Sequence, residues 1–408
     1  MSVLSRVSAP TAAGDLACMV AALLSNPERT APMDLLATVE DEPQPAAPVI
    51  ERLGPTGLGT SAARIFWQQA TNDETVQATD LGADQAADDE SGSALFCPPA
   101  VRDDVALGEE VNDRVVDWAE QIGIYPGQRD RLHACNFGRL MMLTHPATDD
   151  PDKLLAAAKC VVAEWATDDH FLDDESMGAD AKTIGARLAV TYAAVDPADL
   201  PVRYAPQLDQ ALSDEPVAVA YRSAFEHLGQ YATATQVARL RHELAVMFMA
   251  YNHEAEWRNS GRTPPVWEYL THRAENSFLP PMVLVDPVAG YELPAFEFAD
   301  RRVRRVFALA GSASVILNDL YSRSKETDAD FDLPKVIAAE DECTPEEAIE
   351  RTAAIHNELM HTFVAEATVL ASVGSPALGR FLADIWAWLG GNREWHSTTE
   401  RYHSGSDA

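Results

Sequence analysis

RVFALAGSASVILNDLYSRSKE, residues 305–326, decides the fold. Residues 305–320 are apolar or small on most faces and lack the period-2 alternation of a strand. A helix that is apolar all round sits at the centre of a helical protein. Gly311, Ser312, Ala313 and Ser314 let neighbours approach closely, or leave room for a cavity. Bundles build their ligand sites in such cavities. Where the apolar run stops, Asn318, Ser322 and Glu326 follow at i, i+4 and i+8. At 3.6 residues per turn they project from one face with modest drift. An amide carbonyl, a hydroxyl and a carboxylate form a hard-cation ligand set, suited to Mg²⁺ rather than Zn²⁺. The bland alternative is a solvated helix end. Its position, directly out of the most apolar helix in the chain, weighs against that.

Outward from this stretch the pattern is helix after helix. DVALGEEVNDRVVDWAEQIG (104–123) places Val105, Val111, Val115, Trp118 and Ile122 on or near one stripe. DPDKLLAAAKCVVAEWATDD opens on an Asp/Pro helix start. Further helices are expected over 179–194, 215–231, 235–259, 265–285, 298–326, 345–373 and 376–399. The expected fold is all-α, about ten helices in residues 95–402 around a central apolar cavity. Residues 1–93 differ: they are rich in Ala, Pro, Thr, Asp and Gly, with 14 acidic and 4 basic residues. Such a stretch buries too little apolar surface to offset its chain entropy, so it reads as a disordered leader. Residues 94–402 read as the catalytic domain and 403–408 as a short tail.

The chain of 408 residues carries a formal net charge of −33, which disfavours nucleic acid and anionic membranes as partners. Its five cysteines are scattered without a C-x-x-C pair, as expected of free thiols in a reducing cytoplasm. No run reaches the length of a spanning helix. GLGT at 57–60 lacks the strand–helix context of a dinucleotide loop, and HEAEW at 253–257 has Trp257 where a zincin needs its second His. DRRVRRVF (300–307) reads as a solvated helix start.

A second acidic cluster, DDHFLDDE (168–175), ends the helix that begins at the Asp/Pro start. Asp168 and Asp169 close the helix, Asp173 and Asp174 follow one turn on, and HFL between them can pack inward, with His170 packed or solvated. Two acidic clusters facing each other across a cavity could hold Mg²⁺, with a bound diphosphate completing the coordination.

DDHFLDDE resembles the aspartate-rich motif of class I terpene synthases. NDLYSRSKE (318–326) matches their second motif, (N/D)-D-x-x-(S/T)-x-x-(K/R)-(D/E), at every defined position. Chain-elongating prenyl transferases carry two Asp-rich motifs instead, and no D-x-D-D sequence of proton-initiated cyclases is present. The resemblance implies metal ligands at Asp168, Asp169, Asp173, Asn318, Ser322 and Glu326, and a trio of Mg²⁺ ions. Asp168 is the expected main ligand, with Asp174 and Glu175 solvated. HRAENS (272–277) resembles the break in the family's central helix: Arg273 as diphosphate sensor, Asn276 as linker, and Ser277 as the effector whose carbonyl promotes ionisation. Lys325 and the closing pair Arg401 and Tyr402 would bind diphosphate.

Residues 94–402 resemble more fully the bacterial 2-methylisoborneol synthases, through LFCPPAVRDD, GIYPGQRDRL, NFGRLMMLTHPATDDPDKLLAAAKCVVAEWATDDH and the Pro/Ala-rich leader. That resemblance implies a homodimer acting on 2-methylgeranyl diphosphate, supplied by a geranyl diphosphate 2-C-methyltransferase, and giving 2-methylisoborneol after water capture. Proton loss would give 2-methylenebornane. DDHFLDDE also resembles the motif of geosmin-type cyclases acting on farnesyl diphosphate. A reading of another class is a non-catalytic helical binding protein. Trp165, Phe171, Phe248, Phe278, Phe307, Trp388, Trp395 and Tyr402 are candidate cation-stabilising aromatics, each with plain core packing as its alternative.

Overall fold

The computed structural model describes residues 95–173, 175–323 and 330–399. Among them there is no strand, and sixteen α-helices follow one another. They are α1 (Val105–Ile122), α2 (Arg129–Cys135), α3 (Phe137–Thr144), α4 (Pro151–Asp168), α5 (Ile184–Val195), α6 (Ala205–Asp214), α7 (Pro216–Leu228) and α8 (Ala234–Ser260). Then come α9 (Val266–Glu275), α10 (Leu279–Met282), α11 (Val285–Val288), α12 (Ala295–Phe298), α13 (Arg301–Ser322), α14 (Leu333–Asp341), α15 (Pro345–Val373) and α16 (Pro376–Thr398). The all-α expectation holds. The count exceeds about ten because α2, α3, α6 and α14 are too short to show a hydrophobic period, and because the stretch 265–285 is three helices rather than one. The proposed leader and tail lie outside the described residues. Among those described, no helix is long and apolar enough to cross a membrane.

α13 is the central helix the sequence called for. It packs on α15, α16, α9 and α10, and Val303, Val306, Phe307, Ala310, Ala313, Val315, Ile316 and Leu317 are buried along it. Each large apolar side chain so buried contributes about 1.5–3 kcal/mol. Gly311 marks the closest approach: a Cβ there would stand 2.6 Å from Leu279 Cδ2 and 3.2 Å from Ser277 Oγ. The small residue therefore lets the broken segment between α9 and α10 lie directly against the central helix.

α4 forms the opposite wall. Asp150 caps it by accepting from Asp152 N at 2.9 Å, with Pro151 in the first turn. Asp152 anchors its start, accepting from Arg114 of α1, from His227 of α7 at 3.0 Å, and from Tyr231. Three of the four arginines of DRRVRRVF are ion-paired: Arg302 with Asp300, Arg304 with Glu243 and Arg305 with Glu366.

Candidate active site

α4, α8, the break after α9, and the end of α13 enclose a cavity of about 420 Å³. Its apolar wall is Trp165, Met247, Phe278, Val315 and Phe331, and its polar wall carries two groups of oxygen ligands.

The first group comes from DDHFLDDE. The chain does not leave the helix as a simple turn. After Asp168 it continues as a π-helical turn, Asp169–Asp173. An i→i+5 turn brings residue i+5 back over residue i, and such turns recur at functional sites. Here it returns Asp173 to the side of Asp168, and Asp168, Asp169 and Asp173 all line the cavity. The apolar residues between them point the other way. Phe171 and Leu172 are buried, and His170 Nε2 lies 2.8 Å from the Ile124 carbonyl, a packed histidine rather than a ligand.

Each of these carboxylates has a different environment. Tyr125 Oη donates to Asp169 Oδ2 at 2.7 Å. Arg258, from α8, donates to Asp173 Oδ1 at 2.8 Å, to Glu254 Oε1 at 2.8 Å and to the Leu172 carbonyl at 3.0 Å. Among the described residues no cation pairs with Asp168. Burial, and then the Asp173, Glu254 and Asp169 carboxylates, push its pKa well up, with Arg258 only partly opposing. A carboxylate in that position calls for positive charge.

The second group is Asn318 and Ser322, one turn apart on α13 and both on the cavity wall. His396 of α16 orients Asn318. Its Nδ1 lies 2.8 Å from the Asn392 carbonyl, which can only accept, so Nδ1 carries the proton. Nε2 then accepts from Asn318 Nδ2 at 3.1 Å, and Oδ1 is left 3.4 Å from Arg273 Nη2. Between the two ligand positions, Asp319 is buried and ion-paired to Arg273. Asp319 Oδ2 also accepts from Tyr269 Oη at 3.1 Å and from Leu333 N at 3.2 Å. Arg273 is thereby held charged at the cavity, its pKa raised by the Asp319 carboxylate against the opposing effect of burial. Among the described residues its buried Nε–H has no partner, a donor left over for an anion.

The helix break falls where HRAENS places it. α9 ends at Glu275, Asn276 leaves the helix at φ −86° and ψ 75°, and Asn276, Ser277 and Phe278 line the cavity. Asp174, Lys325, Glu326, Arg401 and Tyr402 lie outside the described residues. Of the aromatic candidates, Trp165 and Phe278 face the cavity with centroids 5.7 Å apart. The rest of those described are packed behind it. Trp388 lies tilted against Phe278 and Trp395 meets Trp165 edge to face, Phe171 lies under Arg187, Phe248 meets Tyr221, and Phe307 meets Phe381. Sequence reasoning missed Glu164, Tyr251, Glu254, Arg258, Asp330 and Phe331 on the cavity wall, and Asp319 and His396 behind it. Asp319 had a signal, as the second position of the motif; Arg258 had none.

Among the described residues no three His, Cys, Asp or Glu side chains converge into a self-sufficient metal cage. Mg²⁺ does not need one, since it keeps waters and takes one or two carboxylates plus substrate phosphate oxygens. The all-oxygen donor set, the unpaired Asp168 and the leftover Arg273 donor fit that ion and a diphosphate together.

Comparison with known proteins agrees with this geometry. Residues 159–362 match the family model "Terpene synthase family 2, C-terminal metal binding". The chain belongs to the class I terpene synthases. Within that class it is similar to 2-methylisoborneol synthases. It is 36% identical to that of Streptomyces ambofaciens over 86% of this chain and 80% of the relative. It is 36% identical to that of Saccharopolyspora erythraea over 77% of this chain and 91% of the relative. The crystal structure of 2-methylisoborneol synthase from Streptomyces coelicolor A3(2) with Mg²⁺ and 2-fluoroneryl diphosphate superposes with a TM-score of 0.73 at 36% identity, covering 77% of this chain and 98% of that one.

Proposed function

We propose that this enzyme is a Mg²⁺-dependent cyclase working in the cytoplasm. It would convert 2-methylgeranyl diphosphate and water to 2-methylisoborneol and diphosphate. The observation that carries the reading is the convergence of Asp168, Asp169 and Asp173 with Asn318 and Ser322 on one cavity beside Arg273. The relatives named 2-methylisoborneol synthase support the product, and the substrate follows from the sequence resemblance to that family. The C11 diphosphate would come from a geranyl diphosphate 2-C-methyltransferase, and the enzyme would act as a homodimer.

Mg²⁺ held by these oxygens and by the diphosphate would neutralise the leaving group. Glu326, beyond the described residues, would complete the ligand set. Arg273, fixed by Asp319, binds the diphosphate and stabilises the anion as it departs. Lys325, Arg401 and Tyr402 would add to that grip. Asn276 links Arg273 to Ser277, whose carbonyl promotes ionisation at the helix break. Trp165 and Phe278 present aromatic faces to the allylic cation, and the apolar wall shapes ring closure and keeps bulk water out.

The test is incubation with Mg²⁺ and the C10, C11 and C15 diphosphates side by side, with analysis of volatiles. A cyclic C11 alcohol is expected. Efficient turnover of farnesyl diphosphate without a C11 product would make it a sesquiterpene cyclase instead. Asn318→Ala and Ser322→Ala should each lower diphosphate release about 100-fold. Release unchanged in both variants would return the protein to the non-catalytic reading.

A further inference from the structure

Among the described residues, all but two of the carboxylates around the cavity face a donor or a cation, and one of those two, Asp168, stands in the metal-ligand cluster. Asp169 has Tyr125, Asp173 and Glu254 share Arg258, and Asp319 has Arg273. Glu164 has no such partner. It lines the cavity one helical turn before Asp168, so it lies deeper, toward the hydrocarbon end. It is 4% exposed, its Oε1 has no hydrogen-bond partner, and among the described residues no cation pairs with it. The nearby Tyr221 hydroxyl is already engaged with Thr167 Oγ1 at 3.0 Å.

We propose that Glu164 is the residue that holds the water molecule consumed in the reaction. This rests on the cyclase reading above. A buried acceptor left unpaired is costly, and a hydrocarbon substrate cannot satisfy it. A water molecule can, receiving the carboxyl O–H and donating to the carbonyl oxygen. Burial without a cation pushes the Glu164 pKa well up, which favours the neutral acid. Neutrality suits a cavity that carries carbocations. A carboxylate would trap the cation as an ester or take a proton from it, giving an olefin. The neutral acid only positions the water. In the capture step a water lone pair forms the C–O bond to the final cation. The resulting oxonium then loses a proton, which ends on the diphosphate released in the same turnover. Glu164 keeps its own proton throughout.

The test compares the full-length wild type with Glu164→Gln and Glu164→Leu, using Mg²⁺ and 2-methylgeranyl diphosphate. Three quantities are read: diphosphate release, the alcohol-to-olefin ratio, and the melting temperature. Glutamine keeps a neutral donor and acceptor and should retain the alcohol as main product. Leucine should lower the alcohol share about tenfold while diphosphate release continues. An unchanged alcohol share in the leucine variant, or glutamine products matching those of leucine, overturns the proposal. Infrared spectroscopy of the metal-free enzyme gives a second reading that needs no leucine variant. A protonated-carboxyl C=O band should be present in wild type and lost in Glu164→Gln, and its absence from wild type overturns the neutral acid. The two levels of failure separate cleanly. Wild type that turns over diphosphates but makes only olefin sinks Glu164 as water holder and leaves the cyclase standing. Wild type that releases no diphosphate from C10, C11 or C15 substrates sinks the cyclase reading itself.

Discussion

Asp319→Asn changes one oxygen to nitrogen at the hinge between the two halves of the candidate site. Three donors converge on the wild-type carboxylate: Arg273 on Oδ1, and Tyr269 Oη and Leu333 N on Oδ2. A carboxamide has one accepting end. Whichever way it turns, its NH₂ faces a donor, and Arg273 stays charged because a guanidinium does not give up its proton. Breaking one side of a buried pair typically costs about 3–5 kcal/mol. For about 300 ordered residues at roughly 2.1 cal/mol/K each, an unfolding entropy of ~0.6 kcal/mol/K turns ~4 kcal/mol into a melting-point drop of about 6 °C. Arg273 also loses the contact that fixes it, and an ångström of misplacement at a reacting centre costs about 100-fold in rate. Scanning calorimetry of the metal-free protein and a diphosphate-release assay measure the two effects. A melting point within about 1 °C of wild type with undiminished release would refute the anchoring role of Asp319.

The His396 tautomer makes a prediction about metal binding that does not need turnover. His396→Phe should weaken Mn²⁺ binding in the presence of inorganic diphosphate by about tenfold, read by electron paramagnetic resonance. In an Asn318→Asp background the same change should matter far less, because a carboxylate has no donor end to misdirect; equal losses in both backgrounds would reduce His396 to packing. Glu254 governs the acid limb of stability. Burial opposes its ionisation, but His272 and Arg258 hold its pKa down at about 2. That stability is present above the ordinary carboxylate pKa and is lost as the pH falls toward 2, a total of about 3 kcal/mol. Glu254→Gln should therefore melt lower at pH 7 and lose less on acidification; parallel melting curves would contradict this. Deleting residues 1–90 should leave kcat within about twofold if the leader cannot pack, and a large loss would mean that it orders over the site.

The long elements were legible because their starts carry strong local chemistry. Asp150–Pro151, Thr344–Pro345 and Ser375–Pro376 are cap-and-proline starts, and α13 is apolar enough to be central. α2 and α14 were not, since seven and nine residues give no usable period. The ligand residues of the site are local too: Asn318 and Ser322 are fixed by helical spacing alone. The groups that tune them are not local. Arg258 reaches Asp173 across 85 residues of sequence, His396 reaches Asn318 across 78, and Tyr125 reaches Asp169 across 44. No periodicity links such pairs; only the packing of the α1–α2 connection, α8 and α16 around the cavity does. Glu164 is an intermediate case. It stands as a lone acid in an otherwise apolar helix segment, visible in the sequence but without a meaning there until the cavity shows that no cation among the described residues pairs with it.

The π-helical turn at Asp169–Asp173 ties the spacing of the acidic cluster to the winding of the backbone. It accommodates one residue more than a regular turn. Rewound as a regular α-helix with its sequence unchanged, the segment would carry Asp173 about 140° around the axis from Asp168, off the cavity wall. Removing one residue from His170, Phe171 or Leu172 would instead set Asp173 at i+4, about 40° from Asp168 and on the same face. The wide turn is therefore what lets His170, Phe171 and Leu172 pack between carboxylates that still share one wall.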